Sequence, residues 1–339
     1  MRQLQPIICP MFKKQPILTI SIPTYNRPAQ IARLLQGILP QLVSDVEVVI
    51  RDDSTTNETE TIIRQLFNQF NKSEQLSYFK GDKLGMDRAT LFVVEKARGK
   101  YVWTFGDDDE MAPGAIQHVI ELISSHPNIS FMWANYTCID VPGSIGWSAE
   151  ERFFKDGNEA LEILSNKMTL LSTFIFKKEN AMKAWKIAEK HIGSWWSIMA
   201  LVLESMADGD VYFLKGPYVI NHLEEHGSSY FELWAQIFGI NLSNVFNDFR
   251  ARFSRRAMRR FFVKHFATVW RGILVNKARY PVGVVRSGFL RKLFSLYWTF
   301  PEFWVALPFF LMPRWLILPF YKGYKVFFDH RQLKILKSK

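Results

Sequence analysis

Residues 17–54 read ILTISIPTYNRPAQIARLLQGILPQLVSDVEVVIRDDS, and the order of patterns in this stretch decides the fold. Residues 17–22 are a short β-branched run, residues 28–42 place Ile31, Leu34, Leu35 and Ile38 at helical spacing, and residues 46–50 form a second apolar run. Two strands joined through a helix make a right-handed crossover and lie parallel in one sheet. The alternation continues outward with a helix over 58–70, a strand over 76–79, a helix over 90–97, a strand over 101–105 (YVWTF) and a helix over 114–123 behind Pro113. An α/β chain with a mainly parallel sheet is predicted, and ligands of such sheets sit at the carboxyl ends of the strands. Further on, 129–136 reads as a strand, 160–164, 179–189 and 194–205 as helices, and 211–213 and 218–222 as strands.

The composition bounds the function. With 48% apolar and 22% charged residues in 339, the chain has enough apolar surface for a large core and is neither disordered nor collagenous. Its net charge of +11 is unevenly placed: residues 250–339 hold 20 Lys and Arg against 2 Asp and Glu, whereas residues 1–249 hold 23 against 30. An acidic front is no general nucleic-acid surface, so no nucleic-acid partner is expected. Cys9 and Cys138 are too few for a disulfide framework or a cysteine-rich zinc site, which points to a reducing, cytosol-facing setting. Residues 1–15 lack an apolar core of secretory length and are expected to be an N-terminal extension.

Three polar clusters end the first strands: Pro23-Thr24-Tyr25-Asn26-Arg27, Asp52-Asp53-Ser54 and Gly106-Asp107-Asp108-Asp109. All three therefore face one crevice. Three successive carboxylates repel one another unless a cation or hydrogen-bond donors share their charge. A divalent metal would do so, and Mg²⁺ or Mn²⁺ suits carboxylate oxygens together with substrate phosphates, which implies a diphosphate substrate. The other use open to Asp107–Asp109 is to cap the helix behind Pro113.

These words resemble the nucleotide-sugar glycosyltransferases of family 2, which have the GT-A fold. The resemblance rests on SIPTYNR (21–27), VVIRDDS (48–54), LGMDRA (84–89), ARGKYVW (97–103) and GDDDEMAPGAI (106–116), and covers about residues 17–125. Within the family, LGxDR followed by GxYxWxFGxDD is most similar to abequosyltransferase-like enzymes of O-antigen assembly. The resemblance implies a donor site at Pro23, Thr24, Tyr25 and Arg27, with Asp52 or Asp53 reading the base. It implies ribose and metal contacts from Asp107, Asp108 and Asp109, and donor contacts from Asp87 and Arg88. Where the family word begins with Asp, this chain has Gly106, which leaves Asp108 as the best metal and catalytic ligand, assisted by Asp109.

Inverting family members carry a carboxylate at the start of a helix equivalent to residues 193–197 (GSWWS), where this chain has none. Glu204, Asp208, His191, Glu224, Glu225 and His226 are the alternatives for a base, with Glu204 and His226 the principal catalytic candidates. His222 is a candidate third metal ligand, and Trp195 and Trp196 are candidate stacking surfaces for the acceptor sugar.

The tail is different in kind. Residues 249–273 read as a basic amphipathic helix, and residues 289–328 hold 15 of the 51 aromatics. The longest uncharged run, 303–313, has 11 residues, well short of the roughly 20 needed to span a bilayer. Aromatics among Lys and Arg suit an anionic membrane surface and a lipid-linked acceptor; packing back onto the catalytic domain, an oligomer interface and, ranked last, single-stranded nucleic acid are the other uses open to them. The expected organisation is an extension over 1–15, a GT-A domain over 16–240 and a helical, basic, membrane-associating region over 241–339. The expected activity is glycosyl transfer from a nucleoside-diphosphate sugar to a polyprenyl-diphosphate-linked glycan in O-antigen or capsule synthesis, by a peripheral protein on the cytoplasmic face of the bacterial inner membrane. The alternatives are an inactive membrane-bound scaffold and a nucleotidyl- or phosphotransferase.

Overall fold

Strand β1 (Leu18–Thr24) is the strand from which the sheet grows, because Leu18, Ile20 and Ile22 on one face and Thr19 and Ser21 on the other are all buried. Only a strand covered on both faces by helices is buried in this way. Helix α1 (Pro28–Ile38) buries Ile31, Leu34, Leu35 and Ile38 and returns the chain to β2 (Val46–Asp52), which pairs parallel to β1. Helix α2 (Glu58–Gln69) leads to β3 (Leu76–Lys80), and α3 (Met86–Lys96) leads to β4 (Tyr101–Thr104); β3 adds parallel to β2, and β4 parallel to β1. The structure, a computed structural model, describes residues 14–141, 143–164, 167–222, 233–279, 288–319 and 321.

The rest of the sheet contains β5 (Glu110–Met111), β6 (Ile129–Cys138), β7 (Arg152–Phe154), β8 (Phe174–Lys177) and β9 (Asp210–Asn221). Among the described residues the order is β3-β2-β1-β4-β8-β6-β9-β5, with β7 on β9. Strand β8 is antiparallel to both β4 and β6, and β6 is parallel to β9. Two reversals cancel, so β1, β2, β3, β4, β6 and β9 all end at one edge. That edge gathers Thr24, Asp52, Thr104 and Asn221.

Several readings of the first unit change, and the helix expected over 179–189 is broken into separate short helices. Strand β8 was not expected, since its four residues FIFK carry no period that sets them apart from loop or helix. The two short strands at 211–213 and 218–222 are one, β9. Helix α3 begins at Met86 rather than 90, which puts Asp87 and Arg88 in its first turn. Helix α4 (Ala115–Ser125) has Gly114 at its N-cap, with φ of 79° and no side-chain capping bond, so Asp107–Asp109 do not cap it.

Helices α5 (Gly157–Leu164), α6 (Lys178–Ala181), α7 (Trp185–Lys190) and α8 (Ser197–Ala207) complete the first of two compact units, drawn from Met1–His226 and Val245–Met258. The second is drawn from Gly227–Asn244 and Arg259–Lys339. It contains a π-helical segment Ala235–Leu242, most of α9 (Arg255–Arg279), α10 (Phe289–Tyr297) and α11 (Pro301–Leu311). Helix α9 starts at Arg255 rather than 249. Its Phe266 meets Tyr297 at 4.7 Å and Phe303 at 6.1 Å between ring centroids, so part of the aromatic tail packs within its own unit.

His265 of α9 is buried there and donates from Nε2 to the Phe238 carbonyl at 2.9 Å. Burial pushes its imidazole down to about 4. Between that value and the ordinary 6.5 the unfolded chain takes up a proton that the folded chain does not, so stability falls as pH drops through this window. The expected loss is about 3 kcal/mol below pH 4. His265→Gln keeps a donor and cannot titrate, and is expected to flatten this part of the pH profile of thermal unfolding; an unchanged slope would contradict the account.

Candidate active site

The acidic edge is built from hydrogen bonds that span the whole first unit. Asp107 accepts from Thr24 Oγ1 at 2.7 Å and from Arg27 Nη1 at 2.9 Å. The same Arg27 nitrogen donates to Asp108 Oδ2 at 2.7 Å, and Arg33 Nη2 donates to the Asp108 carbonyl at 2.7 Å. Asp109 is turned inward, accepting from Asn221 Nδ2 at 2.7 Å and from Ser172 Oγ. Ser172 Oγ in turn accepts from the Gly106 amide at 2.8 Å.

Burial pushes Asp107 up to about 6, against the lowering effect of Arg27, and pushes Asp109 up to about 7 with a further contribution from the Asp108 charge. Burial works against the Arg27 charge, but Asp107 and Asp108 outweigh it and raise its pKa. Two of the three carboxylates are thus spent on the architecture. Asp108 Oδ1 alone carries no hydrogen bond from the described residues. It lies so close to Gly106 that a β-carbon at 106 would come within 3.0 Å of it, so the residue that departs from the family word makes room for this oxygen.

The donor set fits a metal only in a particular way. Among the described residues no group of three or more His, Cys, Asp or Glu could hold an ion unaided. Both Asp109 oxygens are engaged, and His222 Nε2 lies 2.6 Å from Glu110 Oε1, so neither joins Asp108 as expected. A single open carboxylate beside a crevice fits Mg²⁺ or Mn²⁺ shared with substrate phosphates, since Mg²⁺ commonly takes one or two carboxylates and completes its shell from phosphate and water.

The remaining expected residues fall into place unevenly. Asp52 is fully buried and accepts from Tyr78 Oη at 2.6 Å and the Ser54 amide at 2.8 Å. Asp53 accepts from Arg51 Nε at 2.7 Å and the Leu84 amide at 2.6 Å, and so ties β2 to the turn before α3. Tyr25, just past β1, is exposed, and its ring carries Lys83 Nζ at 3.8 Å from its centroid. Pro23 is half-buried at the end of β1, and Arg88 is exposed on α3.

Asp87 is buried and engaged within the protein. Its carboxylate accepts from the amides of Gly193 and Trp195 at 2.7 and 2.9 Å and from Ser197 Oγ at 2.8 Å, so it supplies from elsewhere in the chain the anion that caps α8. Trp196 is buried, whereas Trp195, with φ of 73°, is partly exposed. Glu204, buried on α8, is ion-paired with Arg252 Nη2 at 2.7 Å. His191 Nε2 lies 2.8 Å from Asp248 Oδ2. His226, with Glu224 and Glu225, lies outside the described residues.

Sequence reasoning missed Arg33, Ser172 and Asn221. Ser172 and Asn221 lie 63 and 112 positions from Asp109, and no local pattern marks them.

The sheet order and the acidic edge after β4 are those of a nucleotide-diphospho-sugar transferase of the GT-A fold. The Glycosyl transferase family 2 profile matches residues 19–193, just over half of the chain, and the chain belongs to that family. It is 33% identical over 116 residues to abequosyltransferase RfbV of Salmonella typhimurium, covering 33% of this chain and 34% of that protein. It is 25% identical over 108 residues to the GalNAc(5)-diNAcBac-PP-undecaprenol beta-1,3-glucosyltransferase of Campylobacter jejuni, covering 31% and 34%. The chain spans about a third of the length of these curated relatives. The fold is similar to the crystal structure of S. aureus TarS 1-349 in complex with UDP-GlcNAc, with a TM-score of 0.58 at 15% identity over 82% of this chain and 79% of that one.

Proposed function

We propose that this chain transfers a sugar from a nucleoside-diphosphate sugar to a glycan acceptor linked to a polyprenyl diphosphate, in bacterial O-antigen or capsule synthesis at the cytoplasmic face of the inner membrane. The observation that carries the reading is the open Asp108 oxygen at the carboxyl edge of the parallel sheet, between the Arg27 guanidinium and Gly106. The Campylobacter relative is named for an undecaprenol-linked glycan, and the TarS complex contains a nucleotide sugar; both support this substrate class.

In this reading Tyr25 lines the base site above the buried Asp52 and Asp53, with Pro23 and Thr24 forming the floor of the turn. Arg27 and Arg88 face the diphosphate, where a guanidinium makes paired hydrogen bonds to phosphate oxygens. A bound Mg²⁺ or Mn²⁺ on Asp108 would neutralise charge developing on the leaving nucleoside diphosphate. Asp107 and Asp109 fix Asp108 by holding the loop to β1, β9 and Ser172. Trp195 is the candidate platform for the acceptor sugar, and His226 remains the candidate base.

The test is a panel of UDP-, GDP-, CDP- and dTDP-sugars titrated into the purified chain with and without Mn²⁺, followed by product analysis. Binding of donors with one base, tightened at least about tenfold by Mn²⁺, and release of nucleoside diphosphate are expected. Release of pyrophosphate would favour a nucleotidyltransferase, and no binding by any donor would favour an inactive scaffold.

A further inference from the structure

We propose that the outer face of α10 and α11 docks on an anionic lipid bilayer, lying in the headgroup layer without crossing it. This inference rests on the surface of the second unit alone and is independent of sugar transfer. Apart from Glu302 in its first turn, helix α11 is apolar on every side: Phe303, Ala306 and Phe310 are buried, while Trp304 and Val305 on the other side are 51% and 73% exposed. A helix with no polar face has a second apolar partner besides its own core. Trp298 and Trp315, 53% and 69% exposed, extend the same kind of surface to either side in sequence.

Charge decides which partner. Arg291 and Phe294 on α10 and Trp298 at its C-cap, all exposed, are spaced three and four apart and so form one stripe, with Lys292 beside it. Among the described residues of this unit Glu302 is the one acidic side chain, against nine Lys and Arg. A second copy would bring two such basic surfaces together, whereas anionic headgroups neutralise them at about 1 kcal/mol per basic residue near the surface. Indole rings favour the same headgroup depth. No described helix is long and apolar enough to cross a membrane, so the face lies on the bilayer.

The full chain is to be sedimented with vesicles of phosphatidylcholine alone and of phosphatidylcholine with phosphatidylglycerol in equal parts. Binding is expected to the second vesicle only and to weaken with salt. Trp304→Glu with Val305→Glu is expected to lower the partition coefficient at least about tenfold. Arg291→Glu with Lys292→Glu, at exposed positions, is expected to lower it about tenfold at low salt and little at high salt. Absence of phosphatidylglycerol-dependent sedimentation, or unchanged binding by the charge-reversed pair, would overturn the proposal. So would a dimer in sedimentation velocity that the Trp304/Val305 variant dissociates without loss of vesicle binding, since the face would then be an interface between copies.

Discussion

Asp108→Asn is expected to lower kcat/KM for sugar transfer by about 10²–10³, the usual cost of removing one preorganised electrostatic contact from a transition state. The fold is expected to survive, because the Asp108 side chain is tied to the described residues only through Arg27, which is itself 35% exposed, and pairs at that exposure contribute little to stability. The amide keeps the size and one acceptor oxygen but loses the charge that a metal shared with the diphosphate requires. The measurement is nucleoside diphosphate release at saturating acceptor, together with donor titration in the presence of Mn²⁺ and a thermal melt. Unchanged turnover with an unchanged melt would remove Asp108 from the chemistry. A lost melt would mean that the carboxylate, like Asp107 and Asp109, belongs to the architecture.

The second large effect concerns stability. Arg51 Nε and Asp53 form an ion pair at 2.7 Å with side chains 0% and 3% exposed, Arg51 Nη2 donates to the Asp82 carbonyl at 2.8 Å, and Arg51 Nη1 has no hydrogen-bond partner among the described residues. Asp53→Ala leaves a guanidinium uncompensated in the core and is expected to destabilise the chain by about 3–5 kcal/mol. Breaking such a pair costs more than replacing it, because the surviving charge keeps its full desolvation penalty. Arg51→Met combined with Asp53→Leu is therefore expected to recover part of the loss, the remainder being the Leu84 amide that Asp53 also satisfies. Urea unfolding of the three variants checks this. Equal destabilisation by the single and double variants would show that the hydrogen bond to Leu84, not the buried charge, dominates. The result also bears on function, since Asp52 or Asp53 is expected to read the nucleotide base and Asp53 holds the β2 edge to the turn before α3.

The parallel half of the sheet was legible because its first three strands are each followed by a helix as the next long element, and both patterns are local. Strand β8 was not legible. Four buried residues, FIFK, have no period of their own, and their direction is set by β4 and β6, which lie far away in sequence. The same distinction runs through the site. The runs at 23–27, 52–54 and 106–109 announce themselves as strand-end polar clusters, so the crevice and its acidic character could be read directly. Which carboxylate faces the substrate could not, because Asp52, Asp53, Asp87, Asp107 and Asp109 look alike in sequence and differ only in the donors brought to them. Ser172 and Asn221 turn Asp109 inward, Tyr78 takes Asp52, and the loop at 193–197 takes Asp87.

The sequence by itself determined the α/β alternation, the edge at which the site lies, the family, and the split between an acidic front and a basic aromatic tail. These follow from period, composition and short contiguous words, each of which a few neighbouring residues can encode. Only the tertiary structure decided that Asp108 is the open carboxylate, that Glu204 meets Arg252 and Asp87 the loop at 193–197, and that the tail's aromatics divide into a packed set and an exposed one. Those outcomes depend on which donors and which apolar surfaces meet across tens of residues, and burial and pairing are properties of the contact and not of the residue.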